Sequence, residues 1–210
     1  MRFNTGRFVL ITSCATWVLM ICVGITVLWG YENAPGQAAA PPARWPLDSG
    51  IHLATDRATL IMVAHPHCPC SRASIGELAR LMAQAQDRVT AYAVFVKPSG
   101  SSDDWEKTDL WQSAASIPGV NVVVDDGAEA QLFNAVTSGQ TVLYDAEGHL
   151  LFSGGITASR GHSGDNDGRS AIVSLLNTGV AGREETSVFG CPLFGPHSEC
   201  RESFDDRNKH

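Results

Sequence analysis

The sequence predicts an α/β domain, a mixed sheet with helices on both faces, preceded by one N-terminal transmembrane helix. Three observations predict it. From Ala58 onward, short β-rich apolar runs alternate with helical spacings, the pattern of strands joined by crossover helices. Two further β-rich runs flank Asp145-Ala146-Glu147-Gly148, a hairpin signal. Ahead of them all, Phe8 to Gly30 carries no charged residue.

In chain order, residues 1–7 form a short cytoplasmic N-terminus and residues 8–30 the transmembrane helix. That helix spans about 35 Å, enough for a hydrocarbon core of about 30 Å. Trp29 and Tyr31 fall at the level of an interfacial aromatic belt. Arg2 and Arg7 precede the span and no base follows until Arg44. The positive-inside rule then expects a single-pass protein of the cell inner membrane with a periplasmic, extracytoplasmic domain. A cleaved signal peptide is the competing reading, with Ala38-Ala39-Ala40 as the cleavage region. Its apolar region is normally only about 7–15 residues, so an uncleaved anchor is expected. Cys14 and Cys22, inside the span, read as small apolar filler. Residues 31–47, with the stretch GQAAAPPARWP, read as an Ala/Pro-rich linker holding the domain off the membrane.

Residues 48–182 read as the globular domain. Ala58 to Ala64 is a continuous apolar run, a buried strand. After a Pro/Cys turn, Ile75, Leu78, Ala79 and Met82 give Ser71 to Gln86 a helical stripe. Val89 to Val96 is a second strand. Asp103 and Asp104 are candidate caps for a helix through Trp105, Leu110 and Trp111, stopped by Pro118-Gly119. Asn121 to Asp125 is a short strand, Ala128 to Val136 a short helix, and Thr141 to Tyr144 and His149 to Ser153 the hairpin. Arg169 to Asn177 closes the domain, with Gly179 near its C-cap. Helix-joined strands are expected to pair in parallel, with the hairpin adding an antiparallel strand. Residues 183–210 form a Cys-containing tail whose Val188, Phe189, Leu193 and Phe194 predict that it folds back on the domain.

The strand–cysteine turn–helix of Leu60 to Leu78, LIMVAHPHCPCSRASIGEL, resembles that of thioredoxin-like proteins. Three stretches more closely resemble the RedB-type membrane-anchored thioredoxin-like proteins of bacteria. They are His65-Pro66-His67-Cys68-Pro69-Cys70-Ser71-Arg72, then Gly154-Gly155-Ile156-Thr157 through Arg160-Gly161-His162 and Gly164-Asp165-Asn166, and Val188-Phe189-Gly190-Cys191-Pro192-Leu193. The resemblance implies a thioredoxin-like fold, a membrane location and thiol–disulfide exchange. Two departures stand out. The motif is C-x-C rather than C-x-x-C, and Gln140 of Ser138-Gly139-Gln140-Thr141 occupies the position where thioredoxins carry a cis-proline. In thioredoxins that proline lines the substrate groove and hinders metal capture, so its replacement leaves room for metal binding.

Cys68 and Cys70 fall at a predicted helix N-terminus, where backbone N–H groups and the helix dipole favour a thiolate. They are the expected catalytic pair, with Cys68 as the more exposed nucleophile. A disulfide between them closes a tight ring, and strained disulfides are more reducible. His65 and His67 add two imidazoles, so the H-x-H-C-x-C run is alternatively a copper or zinc site. Each histidine taken singly also fits loop solvation. Cys191 has two readings: a Cys191–Cys200 disulfide staple, or a third sulfur at the Cys68/Cys70 site, with His197 available. Arg160 and His162, in the polar Gly154 to Gly168 stretch, are auxiliary candidates that anchor the tail or contact a substrate. A calcium loop there lacks its distal Glu.

Charged residues are 18% of the chain, below the usual one quarter. Two of the 15 bases precede the apolar span and all 22 acids follow it, leaving a net −9 from Tyr31 onward. Nucleic acid is therefore not an expected partner. The expectation is a thiol–disulfide oxidoreductase needing no cofactor, with copper or zinc binding or delivery as the alternative, and a protein thiol or disulfide as partner.

Overall fold

The structure is a computed structural model describing residues 5–98 and 100–194. It forms two compact units, Met1–Ala34 and Pro35–His210. The first is helix α1, Thr5–Glu32. An 18-residue window within its stretch Gly6–Glu32 has a mean hydropathy of 2.3, and the helix is long and apolar enough to cross a membrane. The hydroxyls of Thr12, Thr16 and Thr26 donate back to carbonyls on the preceding turn, so their protons are satisfied within the helix.

Among the described residues, the second unit holds five strands and four α-helices: β1 Ala58–Ala64, α2 Ser71–Ala85, β2 Val89–Val96, α3 Asp109–Ala115, β3 Val120–Asp125, α4 Ala128–Leu132, β4 Gln140–Tyr144, β5 Leu150–Gly154 and α5 Asp167–Thr178. The sheet order is β3-β2-β1-β4-β5. β1, β2 and β3 are parallel, and β4 pairs antiparallel with both β1 and β5. This is the thioredoxin-like arrangement of a mixed sheet.

Alternation along the strands builds two cores. Leu60, Met62, Ala91, Ala93 and Phe95 face one way, against Leu78 and Met82 of α2, Leu110 of α3 and Ile172 of α5. Ile61, Val63, Val94 and Val142 face the other way, against Ala130 of α4, with Phe133, Ile51 and Leu193. Helices thus cover both faces.

Four details differ from the sequence reading. First, β4 follows a helix yet runs antiparallel to β1. Five residues of α4 advance only about 7.5 Å, too little to return along a strand of about 20 Å. The chain therefore enters β4 at the end of the sheet where β3 left off. Second, Asp103 and Asp104 cap nothing; α3 starts at Asp109 with Thr108 as N-cap, its hydroxyl accepting from the Trp111 N–H. The 103–107 stretch instead turns, and Thr108 also donates to the Pro66 carbonyl beside the cysteine motif at 3.1 Å. Third, α4 stops at Leu132, because Asn134 takes a left-handed conformation (φ 49°). Its N-terminal N–H groups at Glu129 and Ala130 are taken by the Asp125 carboxylate.

The fourth difference is the linker. Residues 36–46 do not hang free but lie along the domain. Carbonyls of Gln37, Ala40 and Pro42 accept from Thr137, Asn134 and Tyr144. Trp45 packs edge-on against Phe133 and Tyr144, with ring centroids 5.1 and 5.3 Å away. A Pro-rich extended chain keeps its carbonyls unpaired internally, so they are open to donors from elsewhere in the fold.

Candidate functional site: three cysteines at the end of β1

β1 delivers the chain into the turn 65–70, and α2 begins at Ser71. The turn is tied by short-range bonds: Cys68 N–H to the His65 carbonyl, Ser71 N–H to that of Cys68, and Ala73 N–H to that of Cys70. It is pinned from across the sheet by Ser138. That hydroxyl accepts from the His65 N–H at 2.8 Å and lies 2.7 Å from the Ser71 hydroxyl. Gly139 (φ 92°) has room for no side chain, since a Cβ there would meet Ser74 Oγ at 2.8 Å. The loop residues against the motif are therefore Ser138 and Gly139. Gln140, assigned to that position from sequence, turns its amide away, accepting from the Val136 N–H and donating to the Asn134 carbonyl.

The tail supplies the third cysteine. Ser153 N–H donates to the Glu184 carbonyl and Thr186 N–H to that of Ser153, extending the sheet edge at β5. The chain then crosses to the 136–138 loop. Ser138 N–H donates to the Cys191 carbonyl at 2.8 Å, Leu193 N–H donates to the Val136 carbonyl at 2.9 Å, and Thr137 and Pro192 form an antiparallel bridge. Arg160 donates to the Gly190 carbonyl from the other side. Val188 and Leu193 are buried. The tail pairs in strand-like fashion with the domain through isolated bridges at Glu185 and Pro192.

This pairing brings the Sγ atoms of Cys68, Cys70 and Cys191 within 4.8 Å of one another. All three are free thiols. Cys191 therefore stands at the Cys68/Cys70 site; the Cys191–Cys200 staple reading rests on Cys200, which, like His197, lies outside the described residues. Exposure reverses the sequence expectation: Cys68 is 0% exposed and Cys70 8%, while Cys191 is half-buried. The sulfur expected to be outermost is the innermost.

Electrostatics single out one thiolate. Hydrogen bonds from Cys191 and then Cys70, with a further one from Ser71, hold the Cys68 thiol far below its ordinary range despite burial. Cys191 is pushed far up, first by its bond to Cys68, then by that to Cys70. Cys70 is pulled down by Cys191 but pushed up by Cys68 and by burial, for a net rise that Arg160 partly opposes. The directions favour the charged form at Cys68 and the protonated form at Cys70 and Cys191.

The two histidines stand beside this cluster. Among the described residues, the group of three or more metal-capable side chains comprises the three cysteines. His65 is buried, with Nδ1 accepting from the His67 N–H, and burial lowers its pKa. His67 lies 2.9 Å through Nε2 from the Trp105 carbonyl. Both rings pack on the Trp105 indole, at 5.3 and 4.6 Å. His162 is exposed on its loop.

Sequence reasoning missed Glu77. Its carboxylate is fully buried on α2. It accepts from Gly164 N–H, Asn166 Nδ2 and Arg169, and it pairs with Arg80. Asn166 also caps α5 through the Arg169 N–H. The polar Gly-rich loop is thus clamped to the cysteine helix at one end and, through Arg160, to the tail at the other. A lone acidic residue in an amphipathic helix gave no signal of this.

No protein-family model and no curated protein matches the chain. Among solved structures, it is similar to an uncharacterized conserved protein from Geobacillus kaustophilus at 20% identity and TM-score 0.56, covering 78% of this chain and 94% of that one. A hypothetical protein from Sinorhizobium meliloti matches at 18% identity and TM-score 0.56, covering 76% and 93%. A pneumococcal exposed lipoprotein thioredoxin from Streptococcus pneumoniae matches at 17% identity and TM-score 0.43, covering 58% and 84%. At these identities the two likenesses at TM-score 0.56 are ones of fold alone.

Proposed function

We propose that this chain is a membrane-anchored, extracytoplasmic thiol–disulfide exchange protein of the RedB type its motifs resemble, and that its reactive unit is Cys68, Cys70 and Cys191. The observation that carries the reading is the mutual approach of three free sulfurs within 4.8 Å at the strand-to-helix turn. The location rests on the apolar helix with Arg2 and Arg7 before it and no base after it until Arg44. The catalytic domain then faces the periplasm, where disulfides persist.

The geometry supports the following roles. In the oxidised protein Cys68 is bonded to Cys191. A partner thiolate attacks the more exposed Cys191 sulfur, the S–S bond breaks, and Cys68 leaves as the thiolate its neighbours stabilise; thiols of low pKa leave fastest. The partner is now joined to Cys191 in a mixed disulfide. Its second thiolate attacks its own bonded sulfur and expels Cys191, which takes a proton. The partner has lost two electrons and the protein has gained them. Run backwards, the same steps reduce a partner disulfide.

The test uses the full chain in detergent, equilibrated over glutathione/glutathione disulfide ratios and quenched by alkylation. The expected result is a reversible loss of two hydrogens, with Cys191 linked to Cys68 or Cys70 in the peptide map. Three thiols that stay alkylatable at every ratio, or a pair formed only between Cys191 and Cys200, refute the reading.

A further inference from the structure

The same sulfurs also form a donor set of a particular kind. Metal–thiolate bonds are about 2.3 Å, so three sulfurs around one ion in a plane stand about 4 Å apart. The Sγ atoms of Cys68, Cys70 and Cys191 already lie within 4.8 Å of one another, so an ion fits between them with a small contraction.

Three features narrow the ion. The set is all sulfur: among the described residues no imidazole or carboxylate joins it. Soft thiolate sets suit both Cu(I) and zinc; structural zinc sites are almost always four-coordinate, so a set of three sulfurs favours Cu(I). The site is dry at its base, with Cys68 fully buried, so water does not readily complete a fourth position. And its walls are fixed. The 65–70 turn is tied by Ser138, and the Cys191 strand by the Ser138 and Val136 backbone and Arg160. With the tail strand seated on the 136–138 loop, an extended peptide cannot pair with that backbone, while an ion can still enter past half-buried Cys191. Three thiolates around a monovalent cation leave a net −2. Arg160, which interacts electrostatically with the Cys70 sulfur, offsets part of it.

We propose that Cys68, Cys70 and Cys191 of the reduced protein form a three-coordinate, all-thiolate site for the soft monovalent ion Cu(I). Three Cu–S bonds form, the thiol protons still present are released to solvent, and no electron moves. The proposal uses the sulfurs of the exchange reading in their reduced state but does not depend on exchange taking place.

The experiment titrates the full-length reduced chain, in detergent and without oxygen, with Cu(I) against the chromophoric competitor bicinchoninate. A Cys14→Ser/Cys22→Ser/Cys200→Ser background leaves only the three site thiols. One equivalent should bind, and X-ray absorption should show three sulfurs at about 2.3 Å. Removing a ligand should cost at least as much as removing a ligand's own support, so Cys191→Ser should weaken binding by about 100-fold or more. Cys70→Ser, which leaves the tail strand in place, should do the same. No bound copper, affinity unchanged in either variant, or a tighter four-coordinate Zn(II) complex overturns the proposal. Disulfide capacity is read separately on the metal-free protein, so failure of one reading is not failure of the other.

Discussion

Gly190→Ala tests the site without touching a sulfur. Gly190 passes so close to the 136–138 loop that an added methyl overlaps the Ser138 carbonyl oxygen, lying 2.9 Å from its carbon and 3.3 Å from Thr137 Cγ2. Restoring an ordinary contact of about 3.4 Å to the oxygen requires the tail strand to retreat by more than about 1 Å. That breaks or strains three bonds: Ser138 N–H to Cys191, Leu193 N–H to Val136, and Arg160 to Gly190. At about 0.5–1.5 kcal/mol net each, the cost is roughly 1.5–4.5 kcal/mol. The more diagnostic consequence is chemical. With Cys191 withdrawn, Cys68 loses its first hydrogen-bond donor and the cluster reverts to a C-x-C pair. The assay is native-state alkylation with peptide-resolved mass spectrometry, beside urea denaturation. Cys191 should alkylate faster than in the parent, and Cys191-linked disulfides should fall in yield, while the domain still unfolds cooperatively. An alkylation pattern identical to the parent's would mean that the tail strand does not hold Cys191 at the site, and the three-sulfur reading fails.

Two further perturbations address the frame. Glu77→Gln leaves Arg169, whose side chain is 13% exposed, facing a neutral amide. Breaking a buried ion pair from one side costs roughly 3–5 kcal/mol, so the urea midpoint should fall steeply; an unchanged midpoint refutes the clamp. Trp45→Ala removes the ring between Phe133 and Tyr144 and should cost about 2–3 kcal/mol, below the value for a fully buried ring. It should also speed limited proteolysis within 36–46, and a cleavage rate unchanged from the parent would show that the linker is not held by that ring.

The parts of the fold that were legible in the sequence are those whose signal is local. The run Ala58 to Ala64 is apolar but for Thr59 because β1 is the central strand, covered on both faces. The stripe Ile75, Leu78, Met82 is the buried face of α2. Gly179 ends α5 in a left-handed conformation. What failed was set by residues far apart in the chain. The 36–46 segment reads as a spacer because Ala and Pro carry no pattern, but its carbonyls accept from side chains roughly a hundred positions on. Asp103-Asp104 looks like a cap, but Thr108 holds that place while bonding to Pro66 across the fold. At the site, the C-x-C turn was visible and its exposure was not. Cys68 is innermost because the tail closes over it, and no property of residues 65–72 reports that. The motif around Cys191 marked it as a candidate third sulfur, and the backbone pairing of Ser138 with Cys191 is what brings it to the site.

The two proposed uses of the cluster exclude each other, and this gives a prediction that joins them. A disulfide between Cys68 and Cys191 consumes two of the three donors, and a soft ion needs thiolates. Conversely, a metal-bound thiolate is a poorer nucleophile because its electron pair is shared with the ion. The reduced full chain loaded with one equivalent of Cu(I) should therefore oxidise far more slowly with glutathione disulfide than the metal-free chain. The free rate should return when bicinchoninate removes the ion. Cys14 and Cys22, exposed on α1, serve as internal controls, since their alkylation should be the same in both forms. If the loaded protein forms the Cys191-linked disulfide at the free rate while retaining its copper, the ion is held elsewhere. The sulfurs gathered by the tail strand would then belong to exchange alone.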